Sequence, residues 1–220
     1  MEKVSRFLFS LLFLFTVLFA KAQGDSTAIE SEVYKPPVPV ELMIGNEALL
    51  FKMVVTKPIY NSKIKFYNLT TLESNFVTSS ASNIFNQTVI FYDFNSKFSF
   101  GLGGSYSSYN SLKPIAAVLY SSFNANRGFL VQPSLVLEKG GSKELFSMFE
   151  YVHFLNPKLK SYFRIDAFTS WENTHDFSYL NWRVGVNTKV GNFGPAVNVN
   201  FVGKEALNYY NFGAFFNVLI

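Results

Sequence analysis

Apolar and polar residues alternate with a period of two along most of the chain. In the stretch YLNWRVGVNTKV (179–190), one set of alternate residues is apolar and includes Leu180, Trp182 and Val184. The residues between them are polar or small, as Asn181 and Arg183 illustrate. No window repeats apolar residues at the spacing of a helix. The pattern therefore predicts antiparallel β-strands with one apolar and one polar face, and no helices.

Segments of this kind, counted back from the C-terminus, give twelve predicted strands. They are 37–44, 47–56, 63–78, 86–94, 97–106, 114–123, 127–138, 143–154, 158–171, 177–190, 193–203 and 209–219. An even number is required if both ends of a membrane barrel lie on the same side. Ten strands are the alternative, for the case in which the first hairpin is not embedded.

Alternating strands build either a β-sandwich with its apolar face inward or a membrane barrel with its apolar face outward. Here the polar faces are rich in Gly, Ser and Asn, which is typical of a barrel lumen. Tight turns are predicted at 95–97, 124–127, 156–158 and 191–192. Longer polar loops are predicted at 79–86, 107–113, 138–143, 171–177 and 203–208. Short turns that alternate with longer loops favour an all-β fold, a transmembrane antiparallel up-and-down β-barrel.

The N-terminus has the three-part layout of a secretory signal. Lys3 and Arg6 precede an apolar run, 7–20, and the sequence Ala-Lys-Ala ends at Ala22. The run is shorter than the roughly 20 residues that a membrane-spanning helix needs. Residues 1–22 are therefore predicted to be a cleaved signal peptide.

The rest of the chain divides into two parts by composition. Residues 23–37 are polar and end in two prolines, so they are predicted to be a periplasmic linker. Residues 38–220 are predicted to form the barrel.

Composition fits a lipid-facing surface better than a nucleic-acid-binding one. Aromatic residues make up 18% of the chain and charged residues only 15%, against about 25% charged residues in soluble domains. Removal of residues 1–22 takes away three basic residues and one acidic residue, which leaves 16 against 14 and a net charge near +2. So small a charge argues against nucleic acid as a partner. The chain has no cysteine, and therefore no disulfide or thiolate metal site.

The C-terminal stretch NFGAFFNV places polar Asn211 and Gly213 before two spaced apolar residues, Phe216 and Val218. This pattern resembles the C-terminal β-signal of bacterial outer-membrane β-barrel proteins, although the chain ends in Ile220 where Phe is commoner. The resemblance implies insertion into the bacterial outer membrane by the barrel-assembly machinery. Outer-membrane lipid and lipopolysaccharide would then surround the barrel.

Polar faces of the predicted strands supply candidate lumen-lining residues. They are Lys160, Arg164, Asp166, Asn181, Arg183, Lys189, Asn198 and Asn200. Glu150, Lys63 and Lys65 are expected to join them. The charged members either select solutes in an open lumen or form an ion-pair network that fills and blocks a small barrel. We favour the filled barrel.

Sequence signals for catalysis, metal or cofactor binding are weak. WENTHDFS brings His175, Asp176 and Ser178 close together, and some small outer-membrane barrels are lipid-modifying hydrolases that use Ser and His. The chain has no His-x-Ser pair, so we interpret this stretch as a polar loop. Two triplets, NLT (68–70) and NQT (86–88), match the N-glycosylation pattern, which has no role in a bacterial outer membrane. No catalytic residue, metal site or cofactor is predicted.

Three functions remain open at this point. The favoured one is a structural or accessory barrel that binds other envelope proteins or lipopolysaccharide, and not an enzyme. A narrow pore for small solutes is the alternative. A lipid-modifying enzyme is less favoured because no catalytic motif is present.

Overall fold

The computed structural model describes residues 38–59, 62–76, 83–108, 110–124, 126–156, 159–203 and 207–219. The predicted signal peptide and linker lie outside these residues. Twelve β-strands follow one another along the chain, so the prediction of twelve is confirmed and the alternative of ten is wrong. They are β1 (Pro39–Gly45), β2 (Ala48–Pro58), β3 (Ile64–Asn75), β4 (Asn83–Asp93), β5 (Phe98–Ser107), β6 (Asn110–Phe123), β7 (Arg127–Val136), β8 (Lys143–Asn156), β9 (Leu159–Trp171), β10 (His175–Asn187), β11 (Asn192–Val202) and β12 (Leu207–Leu219).

Every strand pairs antiparallel with its neighbours in the chain, and β1 pairs with β12 to close the barrel. The closing register places Leu42 opposite Phe216 and Gly45 opposite Gly213. Closure leaves no strand edge whose backbone groups lack partners, which a lipid environment requires. Because the number of strands is even, β1 begins and β12 ends at the same end of the barrel. In outer-membrane barrels this is the periplasmic end.

The described part of the chain holds no helix of the length and apolar character needed to cross a membrane.

Two connections predicted as longer loops are short, because the strands continue further than the alternation indicates. β6 begins at Asn110, where it pairs with Ser107 of β5. β10 begins at His175, opposite Trp171 of β9. The loops predicted at 107–113 and 171–177 are thus wrong in extent. Polar residues at the hairpin ends break the alternation, but the backbone still satisfies its hydrogen bonds by pairing.

The outward face of the strands is largely apolar and exposed. On β12, outward-facing Phe212 and Phe216 are 54% and 43% exposed, whereas inward-facing Phe215 is 3% exposed. Other strands repeat this arrangement with large exposed side chains, among them Leu42, Ile44, Leu72, Ile90, Leu102, Val118, Leu135, Phe163, Trp182, Val184 and Phe193. The alternation therefore places its apolar side outward, as predicted.

The barrel interior is only partly polar, which differs from the sequence prediction. An apolar cluster fills the side formed by β2 to β9 and contains Tyr67, Leu69, Val89, Phe91, Ile115, Leu119, Leu130, Phe146 and Phe168. The reason is that several of these strands carry large apolar residues on both faces. On β4, for example, Val89 and Phe91 face inward and Ile90 faces outward. In such strands the two faces do not differ enough in polarity for the inner face to be recognised from the sequence.

A polar exception lies on the outward face at mid-height, where the two N-x-T triplets stand on neighbouring strands. The register pairs Asn68 with Thr88 and Thr70 with Asn86. Asn68 Nδ2 donates to Thr88 Oγ1 (2.8 Å), and Thr88 Oγ1 donates to Asn86 Oδ1 (3.1 Å). Asn86 Nδ2 donates to Thr70 Oγ1 (2.8 Å), and Thr70 Oγ1 donates to Asn68 Oδ1 (2.8 Å). The four side chains form a closed ring of hydrogen bonds, which we call the Asn–Thr ring.

The seam between β1 and β12 explains two residues of the C-terminal motif. Asn211 Oδ1 accepts from the backbone N–H of Glu47 (3.0 Å), and Asn211 Nδ2 donates to the carbonyl of Ala48 (3.1 Å). Asn211 therefore holds the turn between β1 and β2. A Cβ atom on Gly213 would lie 1.9 Å from the carbonyl oxygen of Ile44, so only glycine lets the two strands approach here.

We expect the loss of one member of the Asn–Thr ring to destabilise the barrel more than the loss of all four. Asn68→Leu removes one member and leaves the hydroxyls of Thr70 and Thr88 short of a partner beside lipid. An unsatisfied polar group of this kind costs about 1–3 kcal/mol. The fourfold change Asn68→Leu, Thr70→Val, Asn86→Leu and Thr88→Val removes all the polar groups and should be close to wild type. Urea unfolding in lipid vesicles measures the free energy of unfolding of the two variants. An Asn68→Leu variant as stable as wild type would contradict this account.

Gly213→Ala should prevent closure of the barrel, because its Cβ would collide with the Ile44 carbonyl. The variant should lose the heat-modifiable mobility on gels that a closed barrel shows. Ala214→Val is the matched control, since it also adds apolar volume to β12 but at an outward-facing, exposed position. Normal heat-modifiability of Gly213→Ala would show that the seam tolerates a side chain.

Candidate functional site

Five charged side chains converge inside the barrel at mid-height. Glu41 lies on β1, Lys52 on β2, Arg164 and Asp166 on β9, and Arg183 on β10. Each of these side chains is at most 5% exposed. We call this set the charge cluster. It reaches across the interior, because β2 and β9 are separated by four strands on one side of the barrel and six on the other.

Salt bridges link the charge cluster into a single chain of contacts. Lys52 Nζ lies 2.5 Å from Asp166 Oδ2, and Arg164 Nε lies 3.1 Å from Asp166 Oδ1. Arg164 Nη2 also donates to Glu41 Oε2. Arg183 Nε donates to Glu41 Oε1 at 2.9 Å. Three cations and two carboxylates give the charge cluster a net charge of +1, and each carboxylate oxygen accepts from at least one cation.

Asparagines and aromatic rings complete the surroundings of the charge cluster. Asn181 Nδ2 donates to Asp166 Oδ2 (3.0 Å), and Arg183 Nη1 donates to Asn198 Oδ1 (2.7 Å). Lys52 Nζ lies 5.1 Å from the ring centre of Phe146 and 5.7 Å from that of Tyr179. Because charged groups this deeply buried are stable only when paired and hydrogen-bonded, the contacts define one preferred arrangement.

Inward-facing asparagines extend this polar interior towards both ends of the barrel. At the periplasmic end, Asn187 Nδ2 donates to Asn192 Oδ1 (2.6 Å), and Asn192 Nδ2 donates to Asn217 Oδ1 (3.2 Å). At the opposite end, Asn211 contacts the turn between β1 and β2. We call the charge cluster and these inward asparagines of β10, β11 and β12 the polar column. It runs along one side of the interior, next to the apolar cluster of β2 to β9. A second, smaller apolar cluster shares that side with it and contains Met43, Leu50, Tyr162, Ala196 and Phe215.

Side chains from strands that are not neighbours meet directly in the apolar half. The rings of Phe85 on β4 and Phe168 on β9 lie 5.8 Å apart. Gln87 on β4 and Gln132 on β7 hydrogen-bond through their amides. The apolar half is therefore filled with side chains.

Two buried nitrogens of the polar column have no hydrogen-bond partner among the described residues. They are Nη2 of Arg183 and Nδ2 of Asn217. Both atoms are N–H donors, so the polar column has spare capacity for a hydrogen-bond acceptor.

Most of the residues predicted to line the lumen face inward. Arg164, Asp166, Asn181, Arg183 and Asn198 are buried there. Asn200 is half-buried on the inward face of β11, opposite Tyr179.

The two predicted lysines lie away from the charge cluster. Lys160 is near the periplasmic end, with Nζ 4.6 Å from the ring centre of Phe154. Lys189 is exposed in the turn 188–191, beyond the end of β10, so the structure places it outside the lumen wall.

Sequence reasoning missed two members of the charge cluster and expected a different acid. Glu41 and not Glu150 pairs with both arginines, and Glu150 accepts a hydrogen bond from Tyr162 Oη (2.8 Å). Glu41 is the single charge of the strand PVELMIG, and Lys52 stands between apolar residues in ALLFKMVVTKP, whose other lysine, Lys57, lies near its end. A charge flanked by apolar residues in mid-strand is the signal that could have located them, because only an inward position lets it find a partner.

The distribution of side chains over the two surfaces decides the environment of the barrel. Large apolar residues are exposed on the outside, and charged residues are buried inside. A protein surrounded by water has the opposite arrangement. An even-stranded closed barrel with an apolar outer wall is the architecture that spans the bacterial outer membrane. The chain is an outer-membrane β-barrel protein.

Comparisons with known proteins relate this outer-membrane barrel to solved structures only. No family model and no curated protein matches the chain. It is similar to the NanC porin, with a TM-score of 0.46 and 8% identity, over 84% of this chain and 99% of that chain. It is also similar to the KdgM porin, with a TM-score of 0.45 and 14% identity, over 83% and 98% of the two chains. The barrel assignment itself rests on the strand pairing within this chain.

Removal of both arginines should destabilise the barrel strongly. Arg164→Ser with Arg183→Ser leaves Lys52 as the only cation of the charge cluster, against Glu41 and Asp166. Breaking a buried ion pair from one side costs about 3–5 kcal/mol, so the free energy of unfolding should fall by at least that amount. Urea unfolding in vesicles, followed by the fluorescence of the two tryptophans, measures the change.

The matched control for this double variant is Lys160→Ser with Lys189→Ser. It removes two cations as well, but both lie outside the charge cluster, so stability should stay near wild type. If the two double variants unfold at the same urea concentration, the charge cluster does not stabilise the barrel.

Proposed function

We propose that the barrel is a narrow pore for small polar solutes, with the polar column as its path. The observation that carries the proposal is the uneven filling of the interior. One side is packed with apolar side chains. The other carries the charge cluster and the inward asparagines, together with a second, smaller apolar cluster of Met43, Leu50, Tyr162, Ala196 and Phe215. A barrel whose interior served only as a structural core could fill both sides with apolar residues.

The energetics of buried charge support this interpretation. Replacing a buried ion-pair network with apolar residues of similar volume is often neutral or stabilising. Stability alone therefore gives no reason to keep Glu41, Lys52, Arg164, Asp166 and Arg183 inside the barrel. A path for water and polar solutes does give one, because ion-selective pores place charged side chains at their constriction.

The charge cluster also acts as a closed gate in this arrangement. The contacts Lys52–Asp166 and Arg164–Glu41 connect β1 and β2 to β9 across the polar column. Solutes pass only when these bridges open, so conductance of the wild-type protein should be low. The net charge of +1 and the free N–H donors of Arg183 and Asn217 favour anions and neutral polar solutes over cations.

The structural or accessory role favoured by the sequence is the second candidate. Its partners would be other envelope proteins or lipopolysaccharide. The direct contacts between non-neighbouring strands in the apolar half favour it, since a permanently filled barrel cannot conduct. The porins to which the chain is similar give this role no support.

Conductance in planar bilayers separates the two candidates. Lys52→Ser with Asp166→Ser removes one bridge across the polar column and leaves the net charge at +1, because one cation and one anion are lost. We expect rare, small openings for the wild-type protein and more frequent or larger ones for this variant. In a salt gradient the reversal potential should indicate a preference for chloride over potassium.

The control changes the other half of the interior. Gln87→Ala with Gln132→Ala removes a contact between β4 and β7 in the apolar half, and it should not raise conductance. If neither the wild-type protein nor the Lys52→Ser, Asp166→Ser variant conducts while both are folded, the pore is excluded and the accessory role is favoured.

A further inference from the structure

We propose that Ser178 and His175 form an ester-hydrolysing site on the outer wall of the barrel, at its extracellular end, with Ser178 as nucleophile and His175 as general base. The substrate class is a carboxylic ester of a long acyl chain, presented by the outer leaflet of the membrane. The site is separate from the polar column, and it is independent of whether the barrel conducts.

The imidazole of His175 is held between two oxygen atoms. Its Nε2 lies 2.8 Å from Ser178 Oγ, and its Nδ1 lies 2.7 Å from the carbonyl oxygen of Gly203. A carbonyl oxygen can only accept a hydrogen bond, so Nδ1 carries the proton. In the neutral ring Nε2 then has its lone pair directed at the Ser178 hydroxyl. A nucleophile, a base and a group that orients the base are the parts that activate a serine.

A β-bulge brings the two side chains together. Residues three apart on a regular strand point to opposite faces. Between His175 and Phe177 the pairing of β10 with β9 shifts by one residue, so that Asp176 is the additional residue of a bulge. His175 then lies opposite outward-facing Trp171, and Ser178 lies opposite outward-facing Thr169. The bulge makes His-x-x-Ser equivalent in geometry to the His-x-Ser pair that the sequence lacks.

Thr169 supplies a second hydroxyl beside the nucleophile. Its Oγ1 is hydrogen-bonded to Ser178 Oγ at 2.7 Å. Rotation about the Cβ–Oγ bond of Ser178 moves the serine proton from Thr169 to His175 Nε2, and the Thr169 hydroxyl is then free to donate. We assign to it the donation of a hydrogen bond to the ester carbonyl oxygen, on which negative charge develops during attack. Because the described contacts give one such donor, we expect slow turnover.

The surroundings of Ser178 indicate a lipid substrate. On the outward face, apolar Phe201 of β11 lies opposite Ser178, and Leu145 of β8 lies opposite Thr169. Trp171, which lies opposite His175, is 36% exposed, and tryptophan is enriched where the membrane meets water. The reactive hydroxyl thus lies on the lipid-facing wall near the interface, at the level of headgroups.

The reaction balances without a cofactor. Ser178 Oγ bonds to the ester carbonyl carbon while its proton passes to His175 Nε2. The bond from that carbon to the alcohol oxygen then breaks, and the alcohol leaves with the proton from Nε2. Water attacks the acyl-serine, gives its proton to Nε2, and releases the fatty acid as Ser178 regains its proton. The sum is one ester and one water converted into one acid and one alcohol.

A fluorophosphonate probe tests the site directly, because it reacts with activated serines and not with ordinary ones. The full-length mature protein, purified from outer membranes in detergent, should be labelled once, at Ser178, by mass spectrometry. It should also hydrolyse 4-nitrophenyl esters, with decanoate preferred to butyrate. Ser178→Ala should abolish both. His175→Ala should lower both rates by about 10²- to 10⁴-fold, the usual contribution of a general base.

Thr169→Val tests the hydroxyl donor with a change of similar volume. Loss of a donor of this kind lowers kcat by about 10²-fold, and KM should not change. A role in packing alone would alter stability or KM and leave kcat intact.

Ser147→Ala is the matched control, since Ser147 is another outward-facing serine, on β8 opposite Ala167. It should label and turn over like wild type. Heat-modifiable mobility verifies that each variant is folded. Folded wild-type protein that resists the probe, or Ser178→Ala protein labelled as well as wild type, would overturn the proposal.

Discussion

The pairing of β1 with β12 is the constraint on which the rest of this structure depends. In lipid no water is present to satisfy the backbone, so every N–H and C=O within the membrane must find its partner in the chain. Closure of the barrel gives these backbone groups their partners, and two residues at the seam between β1 and β12 permit the close pairing. Gly213 leaves room for the carbonyl of Ile44, and Asn211 secures the first turn. Two residues that resemble an assembly signal in the sequence therefore also have a role in the finished barrel.

Closure by twelve strands creates an interior that is too wide for one row of side chains to fill. The chain fills one half with aromatic and aliphatic residues, and in the other it places charged and amide groups beside a smaller apolar cluster. Buried charges in a closed space must pair, and pairing across the space connects opposite walls. In the proposed pore, the charged groups that would form the path for solutes are thus the same groups that close it in this arrangement. Opening would require these ion pairs to break, and no additional element is needed for gating.

Strand number, strand order and the outward face could be predicted from the sequence because each follows from the alternation of apolar and polar residues along the chain. Trp182 and Val184 alternate with Asn181 and Arg183, and the alternation survives in the structure. Where this alternation is weak, the inner face could not be recognised from the sequence: on β4, apolar Val89 and Phe91 face inward and apolar Ile90 faces outward. Pairing across the lumen was also beyond the sequence, since the contact of Glu41 with Arg183 joins residues 142 positions apart.

The register between neighbouring strands also decides which side chains of a short motif lie close together. Two N-x-T triplets suggest glycosylation when they are considered separately, but the alignment of β3 with β4 turns them into one closed ring of hydrogen bonds on the lipid side. A spacing of three between His175 and Ser178 argues against cooperation on a regular strand, but one bulge places both on the same face. In a β-barrel the chemistry of a motif depends on its partner strand as much as on its own spacing. Motif searches that assume regular strands will therefore miss sites formed at bulges, where irregular pairing re-aims side chains.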